Sequence, residues 1–209
     1  QISVRVNTIK QMDNKNQLYQ VELELTSDDD QQLRSLTDRI REEAGGGNGW
    51  QRLGLEIEQK TLPSNNPSLA TSYNNIGLVY DNMGECSKAV SYHEKALEIR
   101  QKTLPSNHPD LATSYNNIGS VYDNMGEYSE ALSYYEKALE IRQKTLPSNH
   151  SDLATSYNNI AFVYATMADF SKALSYFERT LVIWQRVLPP THPNIKDVKE
   201  SIEFVKNKL

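Results

Sequence analysis

One 42-residue segment is written three times in this chain without a gap, and that repetition constrains the fold more than any single motif. Leu55–Ala96 matches Leu97–Ala138 at 34 of 42 positions, and Leu139–Thr180 matches the second copy at 30 of 42. The register persists once more before decaying, at Leu181, Ile183, Gln185, Leu188, Pro189 and His192. Self-similar units at such a period do not close one shared core. Each is a supersecondary piece that must bury its apolar face on the next.

Within a unit the punctuation predicts two helices. Pro67, Pro109 and Pro193 stand where a first helix begins, a place that tolerates the missing N–H, and Ser151 takes the place in the third copy. That helix runs from about Ser68 to Met83 and is cut by Gly84; Gly126 repeats the stop, since glycine adopts the left-handed turn without a Cβ penalty. Ala168 occupies the third such turn and should strain it by roughly 1 kcal/mol. The second helix spans about Cys86 to Thr103 and is broken by Leu104-Pro105-Ser106-Asn107. Tyr73, Ile76, Gly77 and Tyr80 share one face of the first helix; Ala89, Tyr92, His93, Ala96 and Ile99 share one face of the second. Gly77, Gly119, Ala89, Ala131 and Ala173 are small enough to let neighbouring helices approach closely, with tyrosines filling the space beside them.

These residues resemble the tetratricopeptide pattern W-x2-LG-x2-Y, then G, A, F and A. The first copy supplies Tyr73, Ile76-Gly77, Tyr80, Gly84, Ala89, His93 and Ala96. The second supplies Tyr115, Ile118-Gly119, Tyr122, Gly126, Ala131, Tyr135 and Ala138, and the third Tyr157, Ile160-Ala161, Tyr164, Ala168, Ala173, Phe177 and Thr180. The 42-residue period and the ALEIRQKTLP…HP…NN signature are similar to the kinesin light chain type. The resemblance covers about three quarters of the chain. It implies a mainly α fold, a right-handed α-α superhelix, with His93 departing from the usual aromatic. Repeat units are expected at 67–104, 109–146 and 151–188. A capping helix is expected at 194–208, with Ile195, Val198, Ile202 and Val205 on its apolar edge.

The front of the chain, 1–47, is different in kind from the array at 48–209. Ile2–Val6 and Val21–Leu25 alternate around the turn cluster Asp13-Asn14-Lys15-Asn16, which predicts a short β-hairpin. Ser27 before Asp28-Asp29-Asp30 starts a helix that Gly45-Gly46-Gly47 ends. Asp28–Asp30 are read as helix-start electrostatics in preference to a cation site. The run LYQVELELTSDDDQQLRSLTDRIREEAGGG, continuing to GWQRLG, resembles the junction in rotifer proteins where an arginine-type ADP-ribosyltransferase domain passes into tetratricopeptide repeats. That resemblance implies a remnant of an upstream domain whose catalytic E-x-E motif is not in this sequence. A start at Gln1 fits a piece of something longer. Trp50–Gly54 begins like a first helix and runs straight into Leu55-Glu56-Ile57, the end of a second, so one fused helix is expected as a front cap.

Asn74-Asn75, Asn116-Asn117 and Asn158-Asn159 recur at period 42, although asparagine is a poor choice inside a helix. The family pattern implies that the first of each pair points into a concave groove and the second braces the preceding repeat; packing alone is the competing reading for both. One turn on, Leu78, Ser120 and Phe162 differ between otherwise near-identical copies, as do Asp81, Asp123 and Ala165. Either a selective surface or drift at exposed sites explains that variation. A peptide-binding groove is therefore expected at Asn74, Leu78, Asp81, Asn116, Ser120, Asp123, Asn158 and Phe162, with the two acids favouring a basic partner.

His108, His150 and His192 also recur, about one helix spacing apart, too far to share a metal, and loop hydrogen bonding is the expected role. Cys86 stands where Tyr128 and Phe170 stand, as a core residue. The glycines at 45–47 and 49 lack the Lys and Ser/Thr of a phosphate loop, and no nucleophile–base constellation is present. A formal net charge of −5 argues against nucleic acid, no apolar run is long enough for a membrane span, and a lone cysteine fits a reducing compartment, hence a cytoplasmic location. The expectation is a non-catalytic scaffold for a protein or peptide partner, with no cofactor and no metal. The alternative is the C-terminal, non-catalytic part of an NAD-dependent protein-arginine ADP-ribosyltransferase whose catalytic residues lie upstream.

Overall fold

The computed structural model of the chain describes residues 4–13, 18–25 and 49–209. It divides into two compact units, Gln1–Gly49 and Trp50–Leu209. In the first, β1 (Val4–Asp13) and β2 (Leu18–Leu25) pair antiparallel, with register shifts between Val6 and Thr8 and between Gln11 and Asp13. The turn cluster at 14–16 and the helix expected to follow Ser27 lie outside the described residues.

The second unit is eight described helices. α1 (Gly49–Thr61) comes first. Three pairs follow: α2 (Pro67–Asn82) with α3 (Cys86–Thr103), α4 (Pro109–Asn124) with α5 (Tyr128–Thr145), and α6 (Ser151–Thr166) with α7 (Phe170–Val187). α8 (Pro193–Lys206) ends the array. From α2 on, each helix packs on the next in chain order, and α2 also touches α4.

The recurring histidines are helix caps. His108, His150 and His192 each accept, through Nδ1, the backbone N–H two residues on, at 3.2 Å. Asn66 does the same for the first pair, accepting from Ser68 N–H at 2.9 Å. An acceptor there satisfies one of the N–H groups that a helix start leaves unpaired. At the other end, Gly84 (φ 74°) and Gly126 (φ 79°) take the left-handed conformation. The residue after each closes the turn back on the helix, Glu85 N–H to Tyr80 O and Glu127 N–H to Tyr122 O, both at 2.9 Å. Ala168 (φ 60°) makes the same turn with its Cβ in place, and Asp169 N–H reaches Tyr164 O at 2.9 Å.

Inside each pair the helices meet at small residues. Ala89, Ala131 and Ala173 are fully buried. A Cβ on Gly77 would lie 2.7 Å from the His93 ring, and one on Gly119 would lie 2.9 Å from the Tyr135 ring. The tyrosines line the seam: Tyr80 stacks on Tyr92, Tyr122 on Tyr134 and Tyr164 on Tyr176, at 5.3, 5.5 and 5.7 Å between centroids.

Between units the contacts repeat as well. Gln59, Gln101 and Gln143 donate to the hydroxyls of Tyr73, Tyr115 and Tyr157 at 2.7, 2.9 and 3.0 Å. Gln59 lies on α1, so the front helix performs the bond of a second helix with no first helix before it. Leu55 on the same helix is buried with Leu69, Ala70 and Ile76. At the far end Ile195, Val198, Ile202 and Val205 of α8 are buried together with Trp184 and Phe177.

Candidate functional site: the face of the leading helices

The leading helices α2, α4 and α6 stand side by side, tied by a ladder of amides. Asn117 Nδ2 donates to Asn74 Oδ1 at 2.9 Å, and Asn159 Nδ2 donates to Asn116 Oδ1 at 3.2 Å. The second asparagine of each pair thus braces the preceding repeat. Its acceptor is the first asparagine of that repeat, a connection that periodicity alone does not reveal. Asn74 and Asn116 keep their own N–H groups available and have their carbonyl oxygens engaged. At the end of the ladder, Ser201 occupies the position that Asn159 holds one unit earlier and bonds Asp197 O instead, at 2.9 Å. Asn158 is left as the rung with no side-chain hydrogen bond among the described residues.

The residues that vary between repeats are on this same face and are coupled to what lies beneath them. Phe162 meets Phe177 edge-on, with centroids 5.1 Å apart. Ser120 stands at the same position in the middle repeat, where the floor residue is Tyr135, and burial pushes that phenol well above its ordinary range. In the first repeat the surface residue is Leu78 and the floor residue is His93, fully buried, with both ring nitrogens unpartnered. Leu78 and Phe162 are 41% and 45% exposed, large apolar side chains held out toward solvent.

The two acids are not equivalent. Asp81 accepts from Asn124 Nδ2 of the next repeat at 3.0 Å. Thr166, in the place of Asn124 one unit on, turns its hydroxyl to Phe162 O at 3.0 Å, so Asp123 receives no such bond. Partial burial without a compensating donor holds the Asp123 carboxyl above the usual carboxylate range.

Sequence reasoning missed the residues at the junctions. Arg100 Nη1 donates to Ser114 Oγ at 2.7 Å and Arg142 Nη1 to Ser156 Oγ at 2.6 Å, each also reaching the carbonyl of Asp110 or Asp152 at 3.3 Å. Burial lowers the pKa of both guanidinium groups from its ordinary value. One unit further the pair is Trp184 and Val198. There a cavity of about 280 Å³ opens, lined by Thr155, Asn158, Phe162, Trp184, Asn194, Asp197 and Val198.

Among the described residues no group of three His, Cys, Asp or Glu side chains is placed to hold a metal, and no helix is long and apolar enough to cross a membrane.

The chain belongs to the tetratricopeptide repeat family. Residues 54–102 and 68–144 match one tetratricopeptide repeat profile and residues 153–194 match a second. Among solved structures it is similar to a Podosopora anserina protein of the kinesin light chain kind with nearly identical TPR-like repeats. The two share 25% identity with a TM-score of 0.67, over 85% of this chain and 86% of that one. BtubC (BKLC) from P. vanneervenii has the same fold, with 24% identity and a TM-score of 0.70 over 85% and 69% of the two chains. The N-terminal domain of stress-induced protein-1 from C. elegans matches 67% of this chain and 96% of its own length, at 21% identity and a TM-score of 0.51. No curated protein matches the sequence.

Proposed function

We propose that the array is a protein-interaction scaffold whose leading-helix face, as a concave groove, holds an extended segment of a partner and favours a basic one. Tetratricopeptide proteins are typically non-enzymatic scaffolds, and nothing among the described residues points to catalysis. The observation that carries the reading is the distribution of variation. The amides that brace one repeat on the next, Gln101, Gln143, Asn117 and Asn159, are copied, whereas Leu78, Ser120 and Phe162 at one position of the leading helices differ, and Phe162 meets a floor residue, Phe177, that differs with it. The N–H groups of Asn74 and Asn116 would donate to the segment's carbonyls, and Asp81 and Asp123 would attract its cations. Cys86, a free and half-buried thiol, fits a reducing, cytoplasmic setting.

The test is selection of a random peptide display library on the folded array, with a Leu78→Ser/Phe162→Ser/Asp123→Asn array as the comparison. The positions are exposed or only partly buried, so that folding survives. The selected peptides are expected to be enriched in Lys and Arg and to bind the substituted array at least about tenfold more weakly. Peptides that bind both arrays equally would refute the groove.

The alternative is that this array is the non-catalytic end of an NAD-dependent protein-arginine ADP-ribosyltransferase. It is favoured by the unit boundary at Gly49/Trp50 and by α1, which performs a second helix's contacts without a first. An open reading frame upstream of Gln1 that encodes E-x-E supports it, and an unrelated frame removes it.

A further inference from the structure

The last junction of the array departs from the side-chain contacts of the two junctions that join one repeat to the next. The buried Arg–Ser bond is replaced by Trp184 and Val198, the asparagine ladder stops at Asn158, and a cavity of about 280 Å³ opens between them. Trp184 is 6% exposed, and its indole N–H is buried without a hydrogen-bond partner. Asn158, on the same cavity wall, has both halves of its amide unengaged. Phe162 and Val198 make the lining apolar, and Asp197 adds a carboxylate that takes part in none of the ion pairs among the described residues. The neighbouring Lys196 pairs with Glu200, at 3.7 Å, and Lys206 with Glu178, at 3.6 Å.

We infer that this cavity is an anchoring pocket for one aliphatic side chain of an extended peptide whose next residue is Lys or Arg. The inference rests on the scaffold reading and deepens it. A cavity just below the roughly 300 Å³ where drug-sized ligand sites begin suits one side chain and its backbone better than a whole small molecule. The Trp184 ring gives the side chain an aromatic wall, and a free carboxylate is disfavoured there because it would meet Asp197. The Asn158 amide can both donate to and accept from the same stretch of backbone, as a strand-like peptide requires. Asp197, exposed in the first turns of α8, receives the cation at the rim.

The probe is the capped hexapeptide Ac-Gly-Ser-Leu-Lys-Ser-Gly-NH2, with Leu-Glu and Ser-Lys versions as comparisons, titrated into the ¹⁵N-labelled full chain. The readout is the indole ¹H–¹⁵N peak of Trp184, identified by its loss in Trp184→Phe. The Leu-Lys peptide is expected to shift that peak saturably and to bind about fivefold tighter than either comparison peptide. Asp197→Asn should bring the Lys-over-Glu preference below about twofold, and Asn158→Ala should weaken all three peptides alike. The double variant Trp184→Arg/Val198→Ser, which rebuilds the inner junction, should fold with an unchanged far-UV spectrum and lose the binding. An indole peak that stays fixed up to about 10 mM peptide, or a Lys preference that survives Asp197→Asn, overturns the pocket. Shifts confined to α2 and α4 would sink the pocket and leave the scaffold reading standing. Failure of the library selection would sink the scaffold reading itself.

Discussion

The middle repeat and the two outer repeats share most of their residues yet are held differently. α4 and α5 have a part-buried Arg–Ser bond on either side, an asparagine bond to either neighbour, a glycine in the left-handed turn, and a tyrosine in the floor. The first repeat has an unpartnered His93 in its floor. Its front junction puts Glu58, with one carboxylate oxygen buried and unpartnered, where the arginines stand elsewhere. The last repeat has Phe177 in its floor, Ala168 in its turn, and Trp184 against Val198 at its junction. A repeat with neighbours on both sides can absorb the cost of dehydrating an arginine, because many contacts hold the bond in place. A capping helix is attached through one face, and there a large aromatic contributes more by area alone.

This contrast can be broken at its largest point by Trp184→Ala. The substitution should cost about 3–5 kcal/mol in urea unfolding, since it removes the anchor of α8 and leaves a void. It should also release α8 before the rest, seen as early hydrogen exchange confined to residues 193–206. Next in size is acid. Burial holds His93 down to about 4, with Asp81 pulling weakly the other way. Below the ordinary histidine value of about 6.5 the unfolded chain takes up a proton that the folded chain refuses, so stability falls between there and about pH 4, by up to about 3 kcal/mol. His93→Phe, which installs the third repeat's floor in the first, should flatten that part of the pH profile.

Arg142→Ala tests the inner design and should cost about 2 kcal/mol, the worth of a buried charge-assisted bond. The same measurement on Arg142→Trp/Ser156→Val would show whether the end junction's solution works inside the array. Its recovery to within about 1 kcal/mol of the parent would mean that the two designs are interchangeable. The smallest effect is Ala168→Gly, expected to raise stability by about 1 kcal/mol by relieving the Cβ in a left-handed turn. No gain would mean that the neighbouring contacts already compensate for the strain.

Much of this architecture was legible without coordinates. Helix starts at 67, 109, 151 and 193, stops at Gly84, Gly126 and Ala168, the small residues of the seam and the apolar edge of α8 all follow from local rules of backbone freedom and helical period. The site was legible in part. Which positions vary could be read from the copies, and so could the bracing role of Asn117 and Asn159. The capping role of the histidines was narrowed to loop hydrogen bonding and no further, because a cap depends on the direction of one ring nitrogen.

The repeat itself dictated paired helices stacked in register, because a period in sequence becomes a period in space whenever each unit can bury its face only on the next. Stacking alone decided who bonds to whom across that period. Asn117 finds Asn74, Arg142 finds Ser156, and Trp184 with Val198 leaves a cavity. Such contacts join residues on separate helices, and their energies depend on distance and on exclusion of water, neither of which exists until the helices have met.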